Sequence, residues 1–412
     1  MRMNKKKEIV PKLRFPEFQE SDIDFVYGDR LFESITNKNH NSDLPILAIT
    51  QDQGAVPRDQ IEYNVTVTDK SLSNYKVVEV GDFIISLRSF QGGIEYSRFR
   101  GICSPAYIIL RKRKGCVSEL YYKYYLKTWK YIQSLNRNLE GIRDGKMISY
   151  SQFSSIKVPY PHLVEEQQKI ADCLSSIDEL IDAESRKLKA LEKYKKGLMQ
   201  KLFPAEGKTL PEWRFPEFQG CGEWKYKEIG EIGEVITGKT PSTSDKALWD
   251  GDIQFVTPTD ITENKYQHLT QRTVVKTPNM KVLPKHTIMF TCIASIGKMA
   301  LSLYPCITNQ QINSIIPKSC YNNEFIYYSL LQKTFLIKAG FSNSTLPIIN
   351  KTDFSKIQVP VILDKKEQQK IVECLSEIDT MITEQSNKVK QLKAHKKGLM
   401  QGLFPSLEEA DI

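Results

Sequence analysis

The chain has 412 residues, 40% of them hydrophobic and 26% charged, and a formal net charge of +9. That length allows two or more cores of an ordinary soluble protein, and no apolar run approaches the roughly 18 residues of a membrane-spanning helix. The positive balance favours polyanionic partners. The N-terminus, MRMNKKKEIVPKL, is basic but lacks the apolar stretch of a secretory signal, so no membrane association and a cytoplasmic location are expected. The eight cysteines form no C-x-x-C pair and the five histidines are scattered, so no metal site is expected.

Taken in order, the chain is one unit used twice. RFPEFQ stands at 14–19 and again at 214–219, and residues 158–204 recur without a gap at 359–405 with more than half the positions identical. This divides the chain into an N-terminal segment 1–19, a variable domain 20–157, a helix 158–204, a linker 205–220, a second variable domain 221–358, a second helix 359–405 and a tail 406–412. Closing that order into a ring would pack segment 1–19 near the C-terminal end of the second helix.

The two variable domains share an order of elements. Each carries a β-like run, GDFIISLRSF at 81–90 or KHTIMFTCIA at 285–294, then a glycine turn and another strand-like run. A helix follows, over 119–135 in the first domain and 323–338 in the second, and then FSSIKVP or FSKIQVP. Two α+β domains of one fold with diverged surfaces are expected.

The repeated segments read as long helices with a heptad seam. In the first it comprises Ile170, Leu174, Ile177, Ile181, Leu188, Leu191, Leu198 and Leu202. The second copy gives Ile371, Leu375, Ile378, Ile382, Val389, Leu392, Leu399 and Leu403. Polar gaps fall at equivalent places, Glu184 and Lys195 against Gln385 and Lys396, and Pro204 and Pro405 end the helices. Each helix would be roughly 55–60 Å long. An exposed apolar seam needs a partner. The duplicated order closes most simply as a pseudo-two-fold arrangement with an antiparallel coiled coil, which would bring Glu184 and Gln385 together.

One catalytic-looking string is present. GEVITGKT at 233–240 fits G-x-x-x-x-G-K-[ST], which would place Lys239 on phosphates and Thr240 on magnesium. The following TPSTSD reads as a loop, whereas a phosphate loop should feed a helix. SPAY at 104–107 lacks the residues of an amino-methyltransferase loop, and no catalytic triad or dyad has local support. No catalytic residues are expected.

The EQQKI…L…ID helices (166–178 and 367–379), their KKGLMQ…LFP ends, and GKTPSTSD, WDGDIQFVTPTDI and TNQQIN in the second domain carry a family likeness. The chain resembles the specificity subunit of type I restriction–modification systems over nearly its full length. The resemblance implies two target-recognition domains, each reading half of a split target in double-stranded DNA. It implies helices that set the gap and dock two methyltransferase (modification) subunits, with separate restriction/translocase subunits in the complex. It places S-adenosylmethionine and adenine-N6 methylation in the modification subunits and ATP with Mg in the restriction subunits, with no cofactor in this chain. The first domain has no GKTPS counterpart.

Base edges are read chiefly by Arg, Lys, Asn and Gln, held in register by phosphate contacts. The candidates in the first domain are Gln51, Gln53, Arg58, Arg88, Gln91, Arg98, Arg100, Arg143 and Lys146. Those in the second are Lys239, Thr240, Ser242, Thr257, Thr259, Lys298, Asn309, Gln310 and Asn313. Two other readings stand beside this one: a stand-alone coiled-coil DNA-binding or adaptor protein without enzyme partners, and an NTPase using Lys239.

Overall fold

The computed structural model describes residues 10–41, 43–61, 72–113, 117–137, 148–293, 295–341 and 348–405. It divides into two compact units. One comprises residues 1–183 and 389–412, the other residues 184–388.

In the first unit a four-stranded antiparallel sheet runs Phe32–Ile35, Ile108–Lys112, Phe83–Ile85, Glu95–Tyr96. Its apolar side meets a tyrosine-rich helix, Glu119–Tyr125, through Phe32, Phe83, Tyr121, Tyr122 and Phe153, all fully buried. In the second unit the strands that match these run in the same order, Gly233–Thr237, Ile312–Pro317, Ile288–Thr291, Met299–Ser302, with Tyr266–Gln267 added in parallel at the edge. A smaller sheet, Arg272–Val274, Trp249–Val256, Cys306–Thr308, stands beside it. The shared strand order is the physical content of the common element order in the sequence.

The run 119–135 is not one helix but two, Glu119–Tyr125 and Trp129–Arg137. Thr128 is the break: its hydroxyl donates to the Tyr125 carbonyl (2.7 Å) and accepts from the Tyr131 amide (3.4 Å), so it closes one helix and caps the next. The matching segment of the second unit, Asn323–Phe341, is continuous.

Each domain is rooted on its long helix in the same way. The VP strand pairs antiparallel with the strand that follows RFPEFQ: Ile23–Tyr27 with Lys157–Pro161, and Lys225–Glu228 with Gln358–Val361. The arginine of RFPEFQ then reaches the first turn of the helix. Arg14 makes two bonds to Glu166 (2.8 and 2.9 Å), and Arg214 makes two to Glu367 (2.8 and 2.7 Å). Both pairs are almost fully buried, side-chain exposure being 5% and 0% in the first and 7% and 1% in the second. The next glutamine ties the helix to the sheet side. Gln167 accepts from the Ser118 amide and donates to the Pro161 carbonyl; Gln368 accepts from the Asn322 amide and donates to the Ile362 carbonyl. In the first unit the Leu13 amide also donates to the Gly402 carbonyl (2.9 Å).

The long helices, Val164–Leu202 and Lys365–Leu403, have 39 residues each. Within the first unit, Ile170 and Leu174 share a core with Leu399, Leu403 and Phe404, and Asp178 pairs with Lys396. Within the second, Leu198, Leu202 and Phe203 share a core with Ile371 and Leu375, and Lys195 pairs with Asp379 at 2.5 Å. In each unit, positions that rise along one helix meet positions that fall along the other, so the pairing is antiparallel. The gaps in the heptad seam are polar cross-links. Gln385 donates to the Glu184 carbonyl (2.9 Å) and carboxylate (2.6 Å), and Lys388 pairs with the same carboxylate.

The lysine–aspartate layers are reinforced by tyrosines. Tyr124 donates to Asp178 (2.8 Å) and Tyr328 to Asp379 (2.6 Å). In the first unit a further cation, Lys123, is crowded against this layer. Burial, with Arg98 and then Lys396 adding to it against the pull of Asp178, lowers its pKa to about 8 from an ordinary 10.5.

Arg214→Ala leaves Glu367 charged and buried without a partner and should cost about 3–5 kcal/mol. Urea unfolding followed through the tryptophans of this unit measures it; a loss below about 1 kcal/mol would remove the pair as an anchor. For Lys123, the folded pKa lies below the unfolded one, so the fold penalises the charged form fully below pH 8 and not at all above 10.5. Wild-type stability should rise between those values, and Lys123→Met should be more stable than wild type at pH 7 with the difference gone near pH 10.5.

Candidate nucleic-acid interface

In the first domain the strand Phe83–Ile85 runs into a tightly held loop. The Ser86 amide donates to the Ser89 hydroxyl (2.9 Å), the Arg88 amide to the Ser86 hydroxyl (3.2 Å), and one helical turn, Ser89–Gly92, follows. Gly93 ends it at φ 83°, where a Cβ would lie 2.3 Å from the Leu126 carbonyl oxygen, so no other residue fits. Gln51 packs on Gly92 and donates to the Arg88 carbonyl (3.4 Å). Lys127 holds the Gln51 carbonyl (2.9 Å) and Glu95 (2.6 Å). Burial pushes the Glu95 carboxyl up, and Lys127 opposes it.

This bracing presents Leu87, 52% exposed, and Arg88 outward. A cavity of about 830 Å³ beside them is lined by Gln51, Arg58, Leu87, Arg88 and Tyr107. Neither the Arg58 nor the Arg88 guanidinium has an ion-pair or hydrogen-bond partner among the described residues. The structure thus gathers Gln51, Arg58 and Arg88 into one concave basic site. Gln53, Gln91 and Arg98 are exposed near it in sequence, while exposed Arg100 is engaged with Glu79 (3.2 Å). Arg143 and Lys146 lie outside the described residues. Leu87 and Tyr107 were not legible as part of the site, since exposure of an apolar side chain is a property of the fold.

In the second domain the strand Gly233–Thr237 ends at Gly238, whose missing Cβ would lie 2.2 Å from the Thr308 carbonyl oxygen. The chain then enters a loop, followed only by the 3-10 turn Lys246–Leu248. No helix follows the GKT string, so the amides that would cradle a phosphate are not aligned. Instead the Thr240 hydroxyl donates to Gln310 (2.7 Å), and Lys239, Thr240 and Ser242 line a cavity of about 620 Å³.

Asn309 adjoins this loop, its amide bonding to the Val256 carbonyl (3.1 Å), which sets it next to Thr257 and Thr259. Thr257 is itself bound to Asp260 (2.6 Å) and Thr259 (2.8 Å). Thr240, Gln310, Asn309, Thr257 and Thr259 therefore form one continuous patch. Lys298 is exposed on a separate turn. Asn309 is 8% exposed and its side chain is engaged with Gln311, so it shapes the patch. Asn313 leaves the candidate set. It is 2% exposed, accepts from Thr237 and donates to Cys292 and the Ile349 carbonyl, so it faces the core.

Among the described residues no group of three or more His, Cys, Asp or Glu could hold a metal ion, and no helix is long and apolar enough to cross a membrane. What the two domains offer is exposed arginine, lysine, glutamine and threonine on braced loops. Arg58→Ala with Arg88→Ala should weaken binding to duplex DNA and lower the slope of log affinity against log salt by about 2. Filter binding across a salt series checks this, and an unchanged slope would remove both side chains from the interface.

Comparison with known proteins finds relatives of both domains. A family model described as the type I restriction modification DNA specificity domain matches residues 23–193 and again 222–394. The type I restriction enzyme MjaIX specificity subunit of Methanocaldococcus jannaschii is 36% identical over 177 residues, 41% of this chain but only 40% of that relative's length. The MjaVIII specificity subunit of the same organism is 26% identical over 364 residues, 82% of this chain and 80% of that one. Among solved structures, the S subunit of a type I restriction–modification system from M. genitalium shares the fold, with a TM-score of 0.59 at 18% identity over 97% of this chain and 100% of that one.

Proposed function

The chain belongs to the type I restriction–modification DNA specificity family, and from that premise we propose that it is the subunit that selects the DNA sequence for such a complex. Each domain reads one half of a split target. The chain performs no chemistry itself. Methyl transfer from S-adenosylmethionine to adenine belongs to two modification subunits, and ATP- and Mg-dependent translocation and cleavage to restriction subunits.

The observation that carries this reading is the contrast between frame and face. The frame contacts recur pair for pair: Arg14–Glu166 with Arg214–Glu367, Gln167 with Gln368, Tyr124–Asp178 with Tyr328–Asp379. The exposed loops do not recur. One domain presents Gln51, Arg58, Leu87 and Arg88; the other presents Lys239, Thr240, Ser242 and Gln310. Two readers of different short sequences need one scaffold and unlike contact residues, because bases are discriminated by side-chain donors and acceptors.

Mapping methylated adenines in cells that express this chain with its modification subunits tests the proposal. The expected result is a split target with a fixed gap, of which one half alone changes when residues 20–157 are exchanged for those of another family member. A single uninterrupted target, or an exchange that alters neither half, overturns it.

A further inference from the structure

The second domain contains a guanidinium that is held in place but makes no hydrogen bond or ion pair among the described residues. The strand Trp249–Val256 pairs with Arg272–Val274 out of step, Val274 facing both Trp249 and Ile253. The intervening residues bulge, with Asp250 at φ 61°, a conformation costly for a non-glycine residue. Trp249 stands at the start of this bulge. Its indole N–H donates to the Ser242 carbonyl (3.0 Å), and its ring meets Phe255 edge to face at 5.3 Å, leaving the residue 6% exposed. The Arg272 Cζ rests 3.4 Å from the centroid of that ring. At van der Waals distance a planar guanidinium can lie only roughly parallel to the indole, so its plane is set.

Arg272 is nevertheless exposed, and its guanidinium makes no ion pair or hydrogen bond among the described residues. The Gln271 amide donates to Asp260 (3.0 Å), the carboxylate that also holds Thr257. Arg272 therefore borders the Thr240–Gln310–Thr257 patch. Stacking removes much of the entropy that a free arginine loses on binding, while all its N–H donors stay available. The bulge also carries exposed Asp250 and Asp252, whose charge would repel a phosphate and so favours a base edge as the partner.

We infer that Arg272, stacked on Trp249, is a specificity-determining residue of the second domain and reads a guanine through its O6 and N7 acceptors. The inference rests on the DNA-reading function proposed above. It also gives a purpose to the loop of GKTPSTSD: Ser242 fixes the indole on which the reader lies.

The test is selection from a randomised duplex pool by the full-length chain assembled with its modification subunits, as wild type and as Arg272→Lys. Lysine keeps the charge and loses the planar fork. Wild type should enrich a split motif with a guanine in one half. Arg272→Lys should lose roughly 5- to 150-fold of the preference for that guanine, with every other position as sharp as before. Trp249→Phe, which keeps an aromatic platform, should retain the guanine. If Arg272→Lys keeps the guanine, or blurs all positions equally, the arginine is a frame or phosphate contact and the inference falls while the DNA-reading function stands. If wild type enriches no motif at all, both fall.

Discussion

A buried arginine–carboxylate pair decides where each domain grows from its helix. Arg14 and Arg214 sit on irregular segments whose Phe15 and Phe215 pack against the cores, and the charges of Glu166 and Glu367 are almost wholly removed from water. Either partner alone would be costly to bury, so the pair ties the segment to the first helical turn. The glutamine that follows extends the constraint. It satisfies the amide of the residue before the domain helix and a carbonyl at the end of the root strand. The glutamate and the glutamine after it thus bond in three directions, to the arginine, to the amide that precedes the domain helix and to a carbonyl at the end of the root strand, and both residues recur in the two copies.

The same logic governs the seam between the helices. Leucine and isoleucine every three or four residues would tolerate sliding by a heptad or a change of partner. The lysine–aspartate layers and the Gln385–Glu184 bond do not, because a shift would bury a charge opposite an apolar residue. They trade stability for a single register. The tyrosine that joins each aspartate comes from the domain, not from the helices, so register and domain position are fixed by one cluster.

How much of this could be read beforehand follows from the range of each interaction. The helices, their seam and its polar gaps are periodic, and periodicity is local. That Glu184 and Gln385 would meet follows from antiparallel register alone. The partner of Lys195 is Asp379, an ordinary surface-type residue until the helices are paired. The arginine of RFPEFQ was visible as a repeat, but its partner is 152 positions away in one copy and 153 in the other. The break at Thr128 has no signature in the sequence, because a hydroxyl can as well face water as cap a helix. Asn313 reads as a contact residue because a polar side chain in a strand points either to solvent or to the core, and one slip in register decides which. Trp249 and Arg272 could not be paired at all, since the bulge that joins them adds residues to one strand only.

These failures have a common cause, and it separates scaffold from surface. Residues that satisfy buried polar groups are constrained by partners far away in the chain, so they recur between the two units even where local sequence has diverged. Exposed-loop residues such as Arg58 and Arg88 have no ion-pair or hydrogen-bond partner among the described residues. Nothing in the folded chain penalises their replacement by other polar groups, and the first and second domains accordingly present different sets. Arg272 belongs to both classes. Its stacking partner lies within the protein, so its position is set in advance, and its donors remain unspent. A side chain that is held this firmly on one face and left open on its edge is one whose remaining bonds are made to something outside the molecule.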